Sequence, residues 1–216
     1  MKKIIIVILI ILNLFVYIPT FAESKKLILS DKTIVIDPGH GGKDIGTSYK
    51  DIYEKNINLE ISLKLKSKLE KYGAKVIMTR QGDYDLSTPN TKTRKRSDFN
   101  NRIKLINESN PDLVISIHQN YYKASKYSGT QFFYKDAKVL AKFLQKNIND
   151  KRLSKPISNT LYMYNKINTS VLLIECGFLS NANDRKNLID KNYQQEYTNK
   201  LIDYILDYFR VNNKIS

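Results

Sequence analysis

Apolar residues follow two periods along the chain, and each period predicts one kind of element. Short apolar runs predict buried strands over residues 33–37, 74–79, 113–118, 129–134 and 170–175. Apolar residues at helical spacing predict helices over residues 54–72, 97–109 and 193–209, with a further helix around residues 139–144. Strands that alternate with helices indicate an α/β fold. We therefore expect a single domain with a mostly parallel sheet and helices on both faces.

The first 22 residues follow the pattern of an export signal. Two lysines precede an apolar run from Ile4 to Ile18, Pro19 ends that run, and the small residue Ala22 offers a cleavage site. The run is shorter than the ~20 residues that span a bilayer comfortably. We expect residues 1–22 to be either a cleavable signal peptide or a membrane anchor that tethers the protein through residues 4–18. In both cases residues 23–216 form a domain outside the cytoplasm.

The composition is that of a folded domain. The 216 residues fit one domain, and a hydrophobic fraction of 42% is enough for a core, which excludes a disordered chain. Cys176 is the only cysteine, so no intramolecular disulfide can form. Its apolar neighbours predict that this thiol is buried.

The charge of the chain is strongly positive. The formal net charge is +15, and 29 of the 36 basic residues are lysines. Proteins that recognise nucleic-acid phosphates tend to use arginine, whose planar guanidinium fits a phosphate with two hydrogen bonds. Nucleic acid is therefore not the partner we expect. The charge indicates either a solvated basic surface or affinity for an acidic polymer.

Four residues with metal or acid–base chemistry fall where one edge of the sheet can bring them together. His40 and His118, the only histidines, and Glu175 each come at or just after the end of an apolar strand, and Glu54 lies near the start of a helix. The carboxyl ends of strands are where α/β sheets bind ligands. Two neutral imidazoles and one carboxylate suit Zn²⁺, and a second carboxylate can act as a general base.

These residues also have structural interpretations. Either histidine alone is compatible with a hydrogen-bonding turn residue, and Asp51 with Glu54 matches a capping box at the helix start. Glu175 is harder to explain in this way. A carboxylate directly after four apolar residues loses its hydration unless it meets a partner or an open cleft.

Five stretches of the chain carry a family resemblance. They are IVIDPGHGGKDIG, EKNINLEISLKLKSKLEKYGAKVIMTR, RSDFNNRIKLIN, DLVISIHQN and VLLIECGFLSN. In this order they resemble the zinc-dependent N-acetylmuramoyl-L-alanine amidases, and they are spread over residues 34–181. That family hydrolyses the amide between the lactyl group of muramic acid and L-alanine in peptidoglycan. The resemblance implies a mostly parallel six-stranded sheet and one Zn²⁺ per chain.

The resemblance also implies roles for individual residues. His40, Glu54 and His118 match the three zinc ligands, and Glu175 matches the catalytic glutamate that activates water. Arg80 and Arg102 match arginines that flank the family's site. The resemblance is compatible with either a structural ion-pair role or substrate contact for these two residues. Asn120, close to His118, is open to a role in orienting a ligand or a substrate group.

The biological role and the partners follow from the same resemblance. A short domain with a signal and without wall-binding repeats resembles the spore-cortex amidases, whose cut leads to muramic-δ-lactam and supports germination. A vegetative wall amidase in cell separation or autolysis is the alternative. Peptidoglycan is the expected partner, in the cell wall or the spore cortex. An accessory activator protein is a further hypothesis. The basic cluster of Lys92, Arg94, Lys95 and Arg96, in a predicted loop over residues 81–96, either rims the substrate groove or is solvated.

Two other classes remain as alternatives. The first is a wall glycosidase that uses Glu54 and Glu175 as its acid–base pair. The second is a non-catalytic basic module that binds wall polymer, whose affinity would fall with salt.

Overall fold

Strands and helices alternate along residues 27–213, which are the residues that this computed structural model describes. The strands are β1 (Thr33–Pro38), β2 (Ser48–Tyr49), β3 (Ile52–Tyr53), β4 (Lys75–Met78), β5 (Leu113–Asn120), β6 (Gln131–Lys135), β7 (Lys155–Pro156) and β8 (Val171–Phe178). The helices are α1 (Glu54–Lys71), α2 (Arg94–Glu108), α3 (Lys138–Ile148), α4 (Tyr162–Asn165), α5 (Ala182–Ile189) and α6 (Lys191–Asn213). The predicted α/β class is confirmed.

Six of the strands form one mixed sheet in the order β4-β1-β5-β8-β6-β7. All neighbouring pairs are parallel except β6 with β8, which is antiparallel. The prediction of a mostly parallel six-stranded sheet is therefore confirmed. β1, β5 and β8 lie side by side near the middle of the sheet, and their carboxyl ends consequently share one edge.

The sheet is covered on both faces, as predicted. One face packs against α1, α3, α5 and α6, and the shared core includes Ile36, Ile117, Leu65, Leu144 and Leu201. The other face packs against α2 and α4, with a smaller core built from residues such as Val35, Val114, Leu173, Ile106 and Met163. Neighbouring strand residues such as Val35 and Ile36 point to opposite faces, which is why the central strands read as continuous apolar runs.

Cys176 lies in this core as a free, buried thiol, as predicted. Burial raises the pKa of its thiol to about 12, so it stays protonated and inert at neutral pH.

Short elements are the part of the fold that the hydrophobic pattern missed. The hairpin β2–β3, the two-residue strand β7 and the helices α4 and α5 were not predicted. Each is too short to show a period of its own. The prediction of a loop over residues 81–96 was wrong at its end, because α2 begins at Arg94. The basic cluster therefore reaches into the first turn of a helix.

The predicted signal or anchor, residues 1–22 with its tether 4–18, lies outside the described residues. Within residues 27–213, none of the helices combines the length and apolar character that crossing a bilayer requires.

Candidate metal centre

Three predicted ligands converge at the shared edge of the sheet. His40 follows β1, His118 lies near the end of β5, and Glu54 is the first residue of α1. One potential ligand atom from each lies within 4.8 Å of the others. The Glu54 carboxylate sits between the two rings, with Oε2 3.2 Å from His40 Nε2 and Oε1 2.9 Å from His118 Nδ1.

His40 is held in place by its backbone and by a second carboxylate. It has a positive φ of 62°, which is uncommon for a residue with a side chain and marks a constrained turn. Its Nδ1 lies 3.1 Å from Asp44 Oδ2, so the ring bridges Asp44 and Glu54. Burial favours the neutral ring, but the hydrogen bonds to Asp44 and Glu54 raise the pKa of His40 to about 9.

Two glycines make the close approach of these side chains sterically feasible. A Cβ at Gly39 would lie 2.2 Å from the His118 ring, and one at Gly46 would lie 2.5 Å from Glu54 Oε2. Both distances are far below van der Waals contact. The glycine-rich turn after β1 therefore lets the backbone pack directly against the histidine and the carboxylate.

Glu54 is buried, at 3% exposure, and both of its oxygens are hydrogen bonded. Its Oε2 accepts from the Thr47 backbone N–H, and its Oε1 accepts from the Gln119 backbone N–H and from Asn58 Nδ2. Burial would raise the pKa of Glu54, but the hydrogen bonds to His118 and His40 hold it well below its usual range. The carboxylate is therefore charged when it faces the two rings.

The capping-box interpretation of Asp51 and Glu54 is wrong. The residue that caps α1 is Tyr53, and no side chain caps this helix end. The Glu54 carboxylate turns toward the histidines instead of back along its own helix.

The second ring nitrogen of His118, Nε2, faces the hydroxyl group of a buried tyrosine. Its Nε2 lies 3.3 Å from the Tyr164 hydroxyl, which is in turn 3.0 Å from Ser116 Oγ. A histidine that binds metal through one nitrogen usually engages a hydrogen-bond partner at the other, which fixes its tautomer. Tyr164 and Asp44 occupy that position for the two histidines.

Glu175 lies beside the group without joining it through a hydrogen bond. In the pairing of β5 with β8 it is the partner of His118, and its Oε2 is buried with no hydrogen-bond partner among the described residues. Burial and the nearby Glu54 charge raise the pKa of Glu175 to about 7, although His118 and His40 act in the opposite direction. A buried carboxylate oxygen without a partner is costly, and a cation or water in the site would relieve that cost.

The donor set fits a transition-metal ion. Two imidazole nitrogens and one carboxylate oxygen converge, each ring has a further polar partner, and an unpaired carboxylate oxygen lies alongside. Such a three-ligand set with room for water matches a catalytic rather than a structural zinc site.

The two predicted arginines are buried, and Arg102 also lines the cavity at the metal centre. Arg102 pairs with Asp37 at 2.6 Å and with Asp98 at 3.1 Å, and donates to the His40 carbonyl. Arg80 donates to backbone carbonyls, which are those of Pro38, Gly39, Lys55 and Gly82. Both guanidinium groups thus brace the turn that presents His40.

Asn120 lies farther along β5, past the irregularity between His118 and Asn120 in the pairing with β8. Its side chain accepts a hydrogen bond from the Tyr121 backbone N–H, and its carbonyl accepts from Leu179.

A cavity of about 360 Å³ opens in front of these groups. His40, His118 and Glu175 line one part of it. The opposite part comes from α2 and from the segment around α4, with Lys95, Phe99, Leu161, Tyr162 and Met163 among the lining residues. The cavity therefore combines a polar reaction centre with a largely apolar side.

Sequence reasoning missed the residues that orient the ligands. Asp44, Asn58, Gln119 and Tyr164 each touch a predicted ligand or its partner. Asp44 and Asn58 had a signal, because each lies four residues after a predicted ligand. Tyr164 had none, since it reaches His118 from a helix of four residues.

Comparison with known proteins places the chain among cell-wall hydrolases. A family described as N-acetylmuramoyl-L-alanine amidase matches residues 34–207. A germination-specific N-acetylmuramoyl-L-alanine amidase of Bacillus subtilis is 38% identical, with 93% of this chain and 91% of the relative covered. The probable cell wall amidase LytH of Staphylococcus saprophyticus is 31% identical over 84% of this chain and 60% of its own length.

Solved structures show the same fold. The CwlD amidase of Clostridioides difficile, solved in complex with the GerS lipoprotein, has a TM-score of 0.78 and 38% identity over 84% of this chain and all of that chain. An N-acetylmuramoyl-L-alanine amidase of Clostridium difficile 630 has a TM-score of 0.71 and 30% identity over 84% of this chain and 98% of that chain.

Proposed function

This chain belongs to the N-acetylmuramoyl-L-alanine amidase family, and we propose that it is a zinc enzyme that hydrolyses the lactyl–L-alanine amide of peptidoglycan outside the cytoplasm. The observation that carries the proposal is the convergence of His40, Glu54 and His118 beside Glu175, whose Oε2 has no hydrogen-bond partner in the described part of the chain. A structural cluster would satisfy that carboxylate internally. A hydrolytic site keeps it free.

His40, Glu54 and His118 would hold the zinc ion, one per chain. The chemistry that bound zinc supplies in such a site is Lewis-acid chemistry, namely a lower pKa for water and a polarised carbonyl. Asp44 and Tyr164 keep the two imidazoles in the orientation that binding requires. Asn58 and the Gln119 backbone do the same for the Glu54 carboxylate.

Glu175 is the proton-transfer group of this proposal. It lines the cavity, and its pKa of about 7 lets the carboxyl group accept a proton from water and later donate one to the departing alanine nitrogen near neutral pH. A positive ion next to it lowers that pKa and favours the base form at the start of the cycle.

The biological role we propose is in the spore cortex, where this cut precedes muramic-δ-lactam formation and germination. Its support is the germination-specific relative, which matches at 38% identity over nearly its whole length. The probable cell wall amidase relative supports the alternative role in vegetative walls, but this chain spans about three fifths of that protein. The complex of a similar amidase with a lipoprotein supports an accessory protein as partner.

Metal analysis and product chemistry test the enzymatic proposal together. We expect purified protein to contain about one zinc per chain and to release alanine amino groups from peptidoglycan, as seen by mass spectrometry of the fragments. A chelator should abolish release, and added zinc should restore it. New reducing sugar ends without alanine amino groups would indicate a glycosidase. Salt-sensitive binding without any product would indicate a wall-binding module.

The spore role has its own test. Inactivation of the gene in the organism that makes this protein should leave cortex peptidoglycan without muramic-δ-lactam and block germination. Normal lactam content with chained or lysis-resistant vegetative cells would instead support the vegetative alternative.

A further inference from the structure

The first turn of α2 carries three consecutive basic residues, Arg94, Lys95 and Arg96, and no acidic residue. Cations at a helix N-terminus oppose the helix dipole, so such a run is unfavourable for the helix itself. Two of the three have partners. Arg94 pairs with Asp85 at 2.6 Å, and the Arg96 guanidinium lies 3.6 Å from the centre of the Tyr162 ring.

Lys95 differs from its neighbours in where it lies. It lines the cavity together with His40 and Glu175, and its ammonium is 5.7 Å from the centre of the Phe99 ring. Among the described residues, no carboxylate forms an ion pair with it. Lys95 is therefore a cation on the wall of the reaction cavity that has no ion-pair partner within residues 27–213.

The side of the cavity next to Lys95 is held in place by contacts between α2 and α4. The Tyr162 hydroxyl donates to Asn100 Oδ1 at 3.1 Å, which ties α4 to α2. Arg96 stacks on the same ring, and Phe99 and Met163 line the cavity beside it. A charged group presented from a fixed apolar surface is a common way to orient a ligand.

The charge distribution of the substrate determines which part of it the Lys95 ammonium can bind. This step rests on the proposed function. The carboxyl group of muramic acid is consumed in the scissile amide, so that part of the glycan is uncharged at the cut. The carboxylates belong to the peptide that leaves with alanine.

We propose that Lys95 binds a carboxylate of that peptide, so that the α2–α4 side of the cavity is the peptide subsite and the glycan lies on the other side of the metal centre. Lys95 thereby sets specificity for peptides with a free carboxylate, without taking part in the chemistry.

Two substrate sets and three variants test this assignment. The substrates are peptidoglycan fragments with free peptide carboxylates, and the same fragments after their carboxyl groups have been converted to amides. The variants are Lys95→Ala, Lys95→Arg and the control Lys92→Ala. Lys92 is an exposed lysine from the same basic cluster that does not line the cavity. Each protein is assayed as full chain with zinc supplied, by release of alanine amino groups.

We expect Lys95→Ala to raise KM for the untreated fragments by about three- to tenfold, with kcat almost unchanged. On amidated fragments it should behave as the unsubstituted protein does. Lys95→Arg should keep most of the affinity, and Lys92→Ala should leave KM unchanged on both sets.

An equal loss on both substrate sets, an unchanged KM, or an effect of Lys92→Ala as large as that of Lys95→Ala would overturn the peptide-subsite assignment while leaving the amidase proposal intact. Failure of the unsubstituted protein to release alanine amino groups from either set would overturn the amidase proposal itself.

Discussion

Glu175 stands directly opposite His118 in the parallel pairing of β5 with β8. Both positions belong to central strands whose backbones are hydrogen bonded to each other, so the separation between the acid and the imidazole is set by the sheet and not by a loop. Glu54 and His40 reach the same place from a helix start and a turn. The two paired strands therefore fix the relative positions of Glu175 and His118. The turn after β1 and the start of α1 add His40 and Glu54 to the site.

Replacing Glu175 with glutamine should separate catalysis from metal binding. Because Glu175 lies beside the three ligands without bonding to them, Glu175→Gln should retain zinc and lose about 10²- to 10⁴-fold in activity. His118→Ala, the comparison variant, should lose the metal as well. Zinc content by elemental analysis, measured next to turnover, checks both; similar zinc loss in the two variants would contradict the division of roles.

Asp44 should control how tightly the metal is held. Its carboxylate accepts from His40 Nδ1 and leaves Nε2 free for the metal, so Asp44→Ala should weaken zinc binding by about 10- to 100-fold. Asp44→Asn keeps an oxygen acceptor, so its zinc affinity should lie between those of the unsubstituted protein and Asp44→Ala. Competition with a zinc-binding dye measures the affinities, and an unaltered value for Asp44→Ala would exclude this orienting role.

Asn58 and Ser62 provide a matched pair on α1, one turn apart and both fully buried. Asn58 donates to the Glu54 carboxylate and to the Gly39 carbonyl, whereas the Ser62 hydroxyl has no hydrogen-bond partner among the described residues. Asn58→Ala should therefore lower zinc affinity about tenfold or more, and Ser62→Ala should not change it. If both alanine variants bind zinc equally well, Asn58 has only a packing role.

The Asp37–Arg102 pair should make stability fall in acid. Asp37 and Arg102 are 1% and 2% exposed. Burial opposes ionisation of Asp37, but Arg102 and Thr79 hold its pKa below the usual range. A depressed carboxyl pKa stabilises the fold above the pKa of the unfolded chain, about 4, and this contribution is lost as the pH falls through the folded-state pKa.

Asp37→Asn should accordingly lower the free energy of unfolding at pH 7 by about 3 to 5 kcal/mol, because it leaves Arg102 with Asp98 as its remaining acidic partner. The variant should also lose part of the decline in stability below pH 4. Urea unfolding at several pH values between 7 and 3 tests both statements. Parallel stability curves for the two proteins would show that Asp37 does not titrate as described.

Local patterns in the sequence were sufficient for the large elements, and together with the family resemblance they indicated the candidate site residues. Helical and strand periods are properties of neighbouring residues, so α1, α2, α6 and the central strands could be predicted before any contact was known. The placement of His40, His118 and Glu175 at strand ends followed from the same periods. The convergence of His40, Glu54 and His118 then confirmed that these distant stretches meet.

The partners of those residues were decided by tertiary structure alone. Tyr164 reaches His118 across 46 residues, Gln119 reaches Glu54 across 65, and one member of the basic cluster, Lys95, faces the cavity while Arg94 and Arg96 are paired elsewhere. Such contacts depend on strand register and helix rotation, which a single sequence does not encode in any short window. The sequence thus determined the large elements and the groups that we propose carry the chemistry, and the packing of the sheet and its helices determined how each one is oriented and charged.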